Sequence, residues 1–438
     1  MPEQLTIQTF VDGHWRDAMV LSVSNPEQVE VSRCSLSYDN QYLVEFIDKL
    51  ETLFEPAVSV NLPLNWNQFD SKGYPPVVYD IMPAGAARKS LVKRFSGKKP
   101  DGVSLDLFLL GRCTPSPVGH LRVKESFETI DQTRIEAFPR KEVVTRTSDF
   151  LEYAYESGAA LGGATGAQGE APKLIMAEGP DGALYADAML PDDLARNHWL
   201  VKFARNQVTE RDKNILRSEY HYYKAVAQLG LNTVSTIGLV LEEAEKPSLW
   251  MPRFDRRIRN GVVERIPVES MYSVCGNCTP GSKMNHEDVL DRLIHLWRAN
   301  GQAEELEDLV SEYLQRDLLN RILGNSDNHG RNTAIFRYQG RFELAPIYDL
   351  APMVLDPEGV SRATKWNEEH LGSPEWRTIC GRFRDLAGDD VIYERLRKAA
   401  EQLRALPDLL VDLPEEVRSA SSIPLNNLDR SLNQWKLR

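Results

Sequence analysis

Three polar side chains stand at the two ends of a predicted β-hairpin. The strands of this hairpin are residues 333–338 and 341–344; Asp327 and Asn332 precede it, and Asp349 follows it. Because a hairpin returns the chain to where it began, we expect these three residues to converge. Mg²⁺ prefers oxygen ligands of this kind, and phosphoryl transfer uses a carboxylate beside the attacking hydroxyl group. The pattern therefore predicts a site for that chemistry.

The spacing within this set indicates how the roles divide. Asp327 and Asn332 have the D-x-x-x-x-N spacing of the protein-kinase catalytic loop. This spacing predicts that Asp327 is the catalytic base or orients the hydroxyl group, while Asn332 and Asp349 hold the metal. Asp and Asn also favour turns, which is the alternative for any one of them. The string from Asp327 through His329 to Asn332 also resembles the loop of phosphatidylinositol kinases, so a lipid or small-molecule kinase is a second alternative.

A lysine and a glutamate nearer the N-terminus predict a further part of the site. Residues 198–203 have the pattern of a strand that contains Lys202, and residues 211–229 that of a helix ended by Gly230. Glu219 lies in the apolar stripe of that helix, where an unpaired charge is costly to bury. Lys202 is its natural partner, because kinases use a strand lysine and a helix glutamate on ATP phosphates. The alternative is an unrelated lysine and a surface glutamate.

The elements around these residues change in character along the chain. Residues 1–145 mix short strands and helices, residues 146–255 are rich in strands, and residues 256–438 are mostly helical. We therefore expect an α+β protein with three domains at these bounds. The local patterns behind this division are a hairpin turn at Asp12-Gly13 and helices near residues 43–54, 286–299 and 302–323.

A run of small residues, 158–167, lies near the start of the strand-rich segment. Its backbone N–H groups could cover phosphates, although it fits neither G-x-G-x-x-G nor a Walker A sequence. A flexible linker is an equally good interpretation. Thr165 is the hydroxyl-bearing residue of this run.

Composition excludes several classes of protein. The chain has 438 residues, of which 42 % are hydrophobic and 26 % charged, as in ordinary globular proteins. Its net charge of −12 does not favour a general nucleic-acid binder. No apolar run is long enough to cross a bilayer, and the N-terminus has no secretory signal pattern. We therefore expect a cytoplasmic protein with no membrane partner.

Two local features admit more than one interpretation. A basic run, residues 88–99, could meet phosphates or an acidic partner, but a solvated face is the simpler explanation. Cys275 and Cys278 form a C-x-x-C, to which His286 could add a metal ligand. No fourth ligand is evident, so two free thiols in a loop are favoured over zinc or redox chemistry.

Several segments together resemble the HipA family of bacterial serine/threonine kinases, the toxins of type II toxin–antitoxin pairs. The resemblance covers nearly the whole chain, and the catalytic-loop segment and Arg-Phe-Asp-Arg-Arg are its most specific parts. The matching residues are Gly162 to Gln168 with Pro172-Lys173, Leu200 to Phe203, Glu219, Arg253 to Arg257, Gly324 to Asn332 and Ile347 to Asp349.

The resemblance implies a bilobal protein-kinase-like core, with a strand-rich N-lobe and a helical C-lobe, and an added mixed α/β N-terminal subdomain. It implies that Lys202 contacts ATP phosphates and that Asp327 orients the substrate hydroxyl group. It also implies Mg²⁺ binding by Asn332 and Asp349.

The resemblance extends to the nucleotide and to regulation. It implies a hinge beside adenine from Met251 to Phe254, phosphate-proximal positions for His329 and Arg331, and a phosphate-covering loop that includes Thr165 and Gly166. Gly163 stands where many members carry a phosphorylatable serine. Thr165 is therefore the candidate in this loop for autophosphorylation, which would place negative charge against ATP phosphates and switch the enzyme off.

Family members that have been studied phosphorylate aminoacyl-tRNA synthetases and arrest translation. Their antitoxin is a small helix-turn-helix protein through which the complex reaches DNA. The resemblance implies the same classes of substrate and partner here. A non-catalytic pseudokinase that acts only in repression is the remaining alternative.

Overall fold

A computed structural model describes residues 4–160, 172–205, 207–259, 261–277, 279 and 281–438. The chain divides into two compact units. The first comprises Met1–Arg205, Glu242–Pro280 and Ala334–Ala345, and the second comprises Asn206–Leu241, Gly281–Thr333 and Pro346–Arg438. The division of the chain into three consecutive domains stays a prediction.

Strand-rich and helical regions are both present, as expected for an α+β protein. The strands are β1 (Gln4–Val11), β2 (His14–Val23), β3 (Arg33–Tyr38), β4 (Gln68–Lys72), β5 (Leu121–Val123), β6 (Lys173–Glu178), β7 (Leu184–Ala186), β8 (Asn197–Phe203), β9 (Val240–Glu242), β10 (Ser248–Pro252), β11 (Arg256–Arg259), β12 (Val262–Arg265), β13 (Val268–Ser270), β14 (Met284–Asn285), β15 (Ala334–Tyr338), β16 (Arg341–Leu344), β17 (Thr364–Lys365), β18 (Glu369–His370) and β19 (Ser373–Pro374). The α-helices are α1 (Asn40–Glu45), α2 (Pro76–Ile81), α3 (Gly85–Phe95), α4 (Leu105–Leu110), α5 (Lys124–Glu128), α6 (Arg140–Thr145), α7 (Ser148–Glu156), α8 (Glu210–Gln228), α9 (Met271–Val274), α10 (His286–Ala299), α11 (Leu306–Ile322), α12 (Trp376–Gly381), α13 (Arg384–Ala387), α14 (Val391–Leu403), α15 (Leu406–Leu409), α16 (Glu415–Ser419) and α17 (Leu428–Gln434).

The first unit begins with an antiparallel sheet of order β4-β3-β2-β1-β5. The turn between β1 and β2 confirms the predicted hairpin: Asp12 and Gly13 both have positive φ, 51° and 78°. That conformation suits a two-residue loop, because its twist matches that of the flanking strands.

The helix expected near residues 43–54 was wrong in its bounds. The helix that forms there, α1, begins after Asp39, whose side chain accepts hydrogen bonds from the backbone N–H groups of Gln41 and Tyr42. It ends at Glu45 and is followed by a short 3₁₀ turn over Ile47–Lys49. The Asp39 cap therefore sets the start of the helix earlier than the predicted residue 43.

A second sheet of the first unit contains Lys202. Its strands within that unit have the order β7-β6-β8-β10. In β8, Lys202 pairs in register with Lys173 of β6 on one side and with Leu249 of β10 on the other. All three of these residues are buried. The predicted strand at residues 198–203 is confirmed.

The hairpin expected before Asp349 is confirmed and forms a third sheet of the first unit, in the order β13-β15-β16. Gln339 and Gly340 make its turn, with φ of 53° and 72°. The Ala345 N–H donates to the Ala334 carbonyl at 2.9 Å, which closes the open end.

A buried ion network fixes the Arg-Phe-Asp-Arg-Arg segment within the first unit. Arg253 donates to both carboxylate oxygens of Asp255, at 2.9 and 2.6 Å, and to Asp187 at 3.0 Å. It also donates to the Pro117 carbonyl, and the Gly119 N–H donates to Asp255 at 2.7 Å. Burial alone would raise the pKa of Asp255, but Arg253 and Arg256 lower it to about 2.

Helices dominate the second unit and largely follow the predicted bounds. The side chain of Thr209 and that of Asp212 form a capping box at the start of α8, and Gly230 follows its end with φ of 76°. Helix α10 spans the predicted residues 286–299. Helix α11 begins at Leu306, because residues 303–305 form a 3₁₀ turn ahead of it.

Candidate active site

The segment that carries Asp327 begins where α11 ends. Gly324 follows the helix with φ of 70°, in the left-handed region that favours glycine. A Cβ atom at this position would lie 2.9 Å from the Val354 side chain and 3.1 Å from the Ile423 side chain. The close approach and the backbone angle together explain a glycine here.

Asp327 is held from both sides. Its backbone N–H donates to the side-chain oxygen of Asn325 at 3.2 Å, and its carbonyl accepts from the Asn332 side chain at 2.6 Å. Its carboxylate lies 3.3 Å from His329 Nε2, and 7 % of the residue is exposed. The turn therefore presents the Asp327 carboxylate beside an imidazole.

The segment after the hairpin returns to this turn. The Tyr348 hydroxyl donates to the Arg331 carbonyl at 2.6 Å, and the Asn325 side chain donates to the Asp349 carbonyl at 3.1 Å. Asp349 is half-buried and has φ of 55°, an uncommon conformation for a residue other than glycine. These bonds bring together the two polar segments that the hairpin was expected to join.

The side-chain amide oxygen of Asn332 is suited to bind a metal ion. Its Nδ2 atom donates to Asp327, while its Oδ1 atom is buried and accepts no hydrogen bond from the part of the chain that the structure describes. A buried oxygen without a donor is costly, and a cation would satisfy it. The described residues contain no cluster of three or more His, Cys, Asp or Glu side chains that could hold a metal. Protein ligands such as Asn332 and Asp349 would thus need substrate oxygens or water to complete an octahedral Mg²⁺ shell.

Glu219 is buried and bonded to a residue that the sequence did not single out. The Tyr223 hydroxyl, one helical turn later in α8, donates to Glu219 at 2.8 Å. The same hydroxyl accepts from the Leu350 N–H at 3.4 Å, next to Asp349. Burial and the charges of Glu219 and Asp349 raise the pKa of Tyr223 well above its usual value. Tyr223 therefore links helix α8 to the segment that contains Asp349.

A second residue missed from the sequence, Asp317 of α11, anchors the same turn. Asn328 and Arg362 donate to its Oδ1 atom at 3.1 and 3.0 Å, and Trp366 and Arg321 donate to Oδ2, each at 2.8 Å. Burial would raise the pKa of Asp317, but Arg321 in particular holds it well below its usual value. Asp317 is thus a buried anion that gathers donors from several segments.

These donors reach both sides of Asp327. Arg362 also donates to the Asn325 carbonyl at 3.2 Å. The Asn328 carbonyl accepts from the N–H groups of Ala363 and Thr364, at 2.9 and 3.1 Å. The residues that flank Asp327 are therefore tied to one buried carboxylate. A local sequence pattern could not reveal this link, because its members are far apart in the chain.

The family of the chain follows from a match to residues 162–408, more than half of its length. These residues match the HipA-like C-terminal domain. The chain belongs to the HipA-like family. The match includes the segment from Gly324 to Asn332 and Asp349, which confirms the family resemblance found in the sequence.

Other comparisons give relatives of this HipA-like protein. It is 24 % identical over 241 residues to Toxin YjjJ of Escherichia coli (strain K12), across 50 % of this chain and 49 % of that protein. The match thus spans about half of that relative. The fold resembles that of HipA in the Shewanella oneidensis MR-1 complex of HipA, HipB and operator DNA, with a TM-score of 0.63 and 16 % identity over 99 % of this chain and 96 % of that chain. The expected fold class is confirmed.

The predicted nucleotide residues of this HipA-like chain lie mainly in the first unit. Lys202 and Met251 are buried, in β8 and β10, and Phe254 is half-buried with its ring 6.2 Å from that of Phe336. Arg331 is almost fully buried in the second unit. The pairing of Lys202 with Glu219 stays a prediction. Thr165, Gly166 and the rest of the small-residue run lie outside the described residues, apart from 158–160.

Of the remaining sequence candidates, His286 has a structural explanation, and the C-x-x-C stays a prediction. His286 is buried, bonds the Tyr313 hydroxyl at 2.8 Å and stacks on Trp366 at 4.5 Å, and burial lowers its pKa to about 4. It is part of the aromatic packing around Asp317. Cys275 is half-buried, and Cys278 lies outside the described residues.

The basic run is partly neutralised by acidic neighbours. Most of it forms α3, where Arg88 pairs with Asp106 at 2.8 Å and Arg94 with Glu156 at 2.9 Å. These ion pairs favour the interpretation of the run as a solvated helix face. Within the described residues, no helix is long and apolar enough to span a membrane.

Proposed function

We propose that this chain is an ATP- and Mg²⁺-dependent serine/threonine protein kinase of the HipA type. The observation that carries the proposal is the joining of the Asp327–Asn332 turn to Asp349 through the bonds of Asn325 and Tyr348. Phosphoryl transfer asks a protein chiefly to position groups and to neutralise charge. A hydrogen-bonded turn that carries the Asp327 carboxylate and the Asn332 amide, and that is bonded to the segment of Asp349, fits that task.

Three residues of the turn, together with Asp349 after the hairpin, have roles in this proposal. Asp327 orients the substrate hydroxyl and accepts its proton as the hydroxyl oxygen attacks the γ-phosphorus and ADP leaves. His329, 3.3 Å from that carboxylate, lies beside the transferred group. Asn332 and Asp349 would hold Mg²⁺, which would supply positive charge to neutralise the phosphate oxygens.

The family resemblance supports the nucleotide-side roles. Lys202 contacts ATP phosphates and Glu219 orients it, Met251 to Phe254 adjoin adenine, and Arg331 lies near the phosphates. Thr165 and Gly166 cover the phosphates, and phosphorylation of Thr165 would repel them. The arginine at 331 stands where the family often has lysine, which keeps the charge but changes its geometry.

The partners of the related complex extend the proposal. The Shewanella structure contains HipA, HipB and operator DNA, and the relative YjjJ is named a toxin. We propose that this chain is a toxin neutralised by a small helix-turn-helix antitoxin, and that it reaches DNA through that partner. Its proposed substrate is a protein of the translation machinery, an aminoacyl-tRNA synthetase being the first candidate.

A comparison of phosphoproteomes tests the proposal. Cells that express the chain should gain phosphoserine or phosphothreonine on a small set of proteins and stop growing, whereas cells that express Asp327→Ala should do neither. The control is Asp385→Ala, which changes an exposed carboxylate of α13 and should behave as the wild type.

The alternatives give different results with purified protein. Label from Mg-ATP that appears in lipids or metabolites, and not in protein, would favour the lipid or small-molecule kinase. A chain that binds no Mg-ATP would favour the pseudokinase and contradict the proposal.

A further inference from the structure

The first unit contains a cavity whose wall combines aromatic rings with two guanidinium groups. Its volume is about 330 Å³, and its lining includes Trp15, Phe127, Arg122, Asp192 and Arg265. Cavities of about this size and larger hold small ligands in many proteins, with a few charged groups that fix the orientation of the ligand. None of these residues has a part in the proposed phosphoryl transfer.

The surroundings of Arg122 leave one edge of its guanidinium group available to a ligand. Its central carbon lies 4.1 Å from the ring centre of Trp15 and 3.9 Å from that of Phe127. Its Nε atom donates to Gln8 at 2.7 Å. The terminal nitrogens remain, and this fork is the edge that binds carboxylate and phosphate in the guanidinium plane.

This cation is buried without a hydrogen-bonded carboxylate in the described part of the chain, although the charges of Asp192, Asp17 and Glu128 lie near enough to favour it. Arg122 is 8 % exposed, and no carboxylate among the described residues forms an ion pair with it. Burial and the neighbouring charge of Arg265 lower the pKa of Arg122 to about 9. Aromatic contacts stabilise a cation by less than its removal from water costs, so an unmet demand for an anion remains.

Arg265 adds a second partly satisfied guanidinium. It is 7 % exposed and pairs with Asp192 at 2.7 Å. Its Nε and Nη1 atoms are buried and make no hydrogen bond within the described part of the chain. Its central carbon lies 5.1 Å from the ring centre of Trp15, which Arg122 also contacts. Two cations thus adjoin one indole. Asp192 hydrogen-bonds one of them, and Asp187 lies 3.8 Å from the Nη1 atom of the same arginine, Arg265.

We propose that this cavity binds a small ligand that bears a carboxylate or phosphate group. The oxyanion meets the free edges of Arg122 and Arg265, and the aromatic rings contact the body of the ligand. A ligand with both features satisfies the buried donors and uses the apolar wall, which neither a bare cation nor a neutral hydrocarbon would do.

Calorimetric titration of the full chain with two probes, benzoate and inorganic phosphate, tests this inference. Wild type should bind at least one of the two probes, and Arg122→Gln should bind that probe at least about tenfold more weakly. The control is Arg33→Gln, which removes an exposed arginine of β3 and should leave that site unchanged. The probe that binds more tightly distinguishes a carboxylate ligand from a phosphate ligand.

Three results would overturn the inference: wild type binds neither probe, Arg122→Gln binds the probe as tightly as wild type does, or Arg33→Gln loses as much affinity as Arg122→Gln. Thermal unfolding gives a second measurement. The successful probe should raise the melting temperature of wild type but not of Arg122→Gln, because a ligand stabilises only a protein that binds it. If Arg122→Gln does not fold, Arg122→Lys keeps the charge without the fork and should weaken binding in the same direction.

Discussion

Asn332 divides its side-chain amide between two tasks. Nδ2 donates to the Asp327 carbonyl, while buried Oδ1 accepts no hydrogen bond from the described residues. Asn332→Ala should therefore lower the rate of phosphate transfer by about 100-fold and raise the Mg²⁺ concentration needed for half-maximal activity. Steady-state rates over a magnesium titration give both quantities. Asn433→Ala, at an exposed asparagine of α17, is the control, and an unchanged magnesium dependence of Asn332→Ala would contradict the metal role.

Tyr223 offers a matched pair of variants, because Tyr222 beside it is also fully buried. The Tyr223 hydroxyl bonds Glu219 and Leu350, whereas the Tyr222 hydroxyl donates to the Leu323 carbonyl at 3.1 Å. Each Phe variant loses hydrogen bonds worth about 0.5–1.5 kcal/mol apiece, so both should lower thermal stability slightly. Only Tyr223→Phe should also lower kcat, by about tenfold, because it removes the hydroxyl that bonds both Glu219 and the backbone next to Asp349. Equal kcat values for the two variants would show that Tyr223 has no positioning role.

At the scale of elements, Asp317 of helix α11 joins this helix through hydrogen bonds to the turn that follows it. Asp317→Asn leaves Arg321 and Arg362 without their shared buried anion. Breaking a buried ion pair costs about 3–5 kcal/mol, so urea unfolding should show a loss of that order. The rate of phosphate transfer should fall as well. Asn328 donates directly to Asp317, and Asn325 accepts from Arg362, which Asp317 holds in place.

Glu312 on the same helix provides the control for Asp317. It pairs with Arg316 one turn later; Arg316 is buried, but 42 % of the Glu312 side chain is exposed, and a bridge between such helical neighbours is worth about 0.5 kcal/mol. Glu312→Gln should therefore leave stability and activity nearly unchanged. A similar small effect of Asp317→Asn would mean that the turn keeps its shape without the buried carboxylate.

The same elements show what a single sequence can predict. The hairpin after Asn332 and helices α8 and α10 followed from local signals, namely turn residues, a terminal glycine and apolar spacing. The start of α1 was missed because one side chain, Asp39, determines it.

Tyr223 and Asp317 were missed for another reason. Tyr223 meets Leu350, and Asp317 meets Arg362, only through tertiary packing, which leaves no periodic trace in the sequence. Glu219 and Arg321, each four residues away in the same helix, were the local signal that could have pointed to them.

At the scale of the whole molecule, buried acids make both units sensitive to low pH. Asp187 and Asp255 in the first unit and Asp317 in the second all have lowered pKa values, because arginines outweigh the effect of burial. A folded carboxyl with a lowered pKa takes up its proton later than the unfolded chain does as the pH falls. Its contribution to the free energy of unfolding is therefore complete above the ordinary pKa of the group and is lost as the pH falls through the lowered pKa of the folded state.

Asp255 allows this sensitivity to be measured in the first unit. Its pKa falls from 3.8 to about 2, so its contribution should be present above about pH 4 and lost as the pH falls towards 2. That contribution is on the order of 2 kcal/mol. Urea unfolding between about pH 6 and about pH 3 should show Asp255→Asn to be less stable than wild type at the higher pH, with a smaller further loss on acidification. Asp101→Asn, at an exposed carboxylate of the same unit, should follow the wild-type curve. If Asp255→Asn followed it too, the Arg253–Asp255 pair would not be a source of the acid sensitivity.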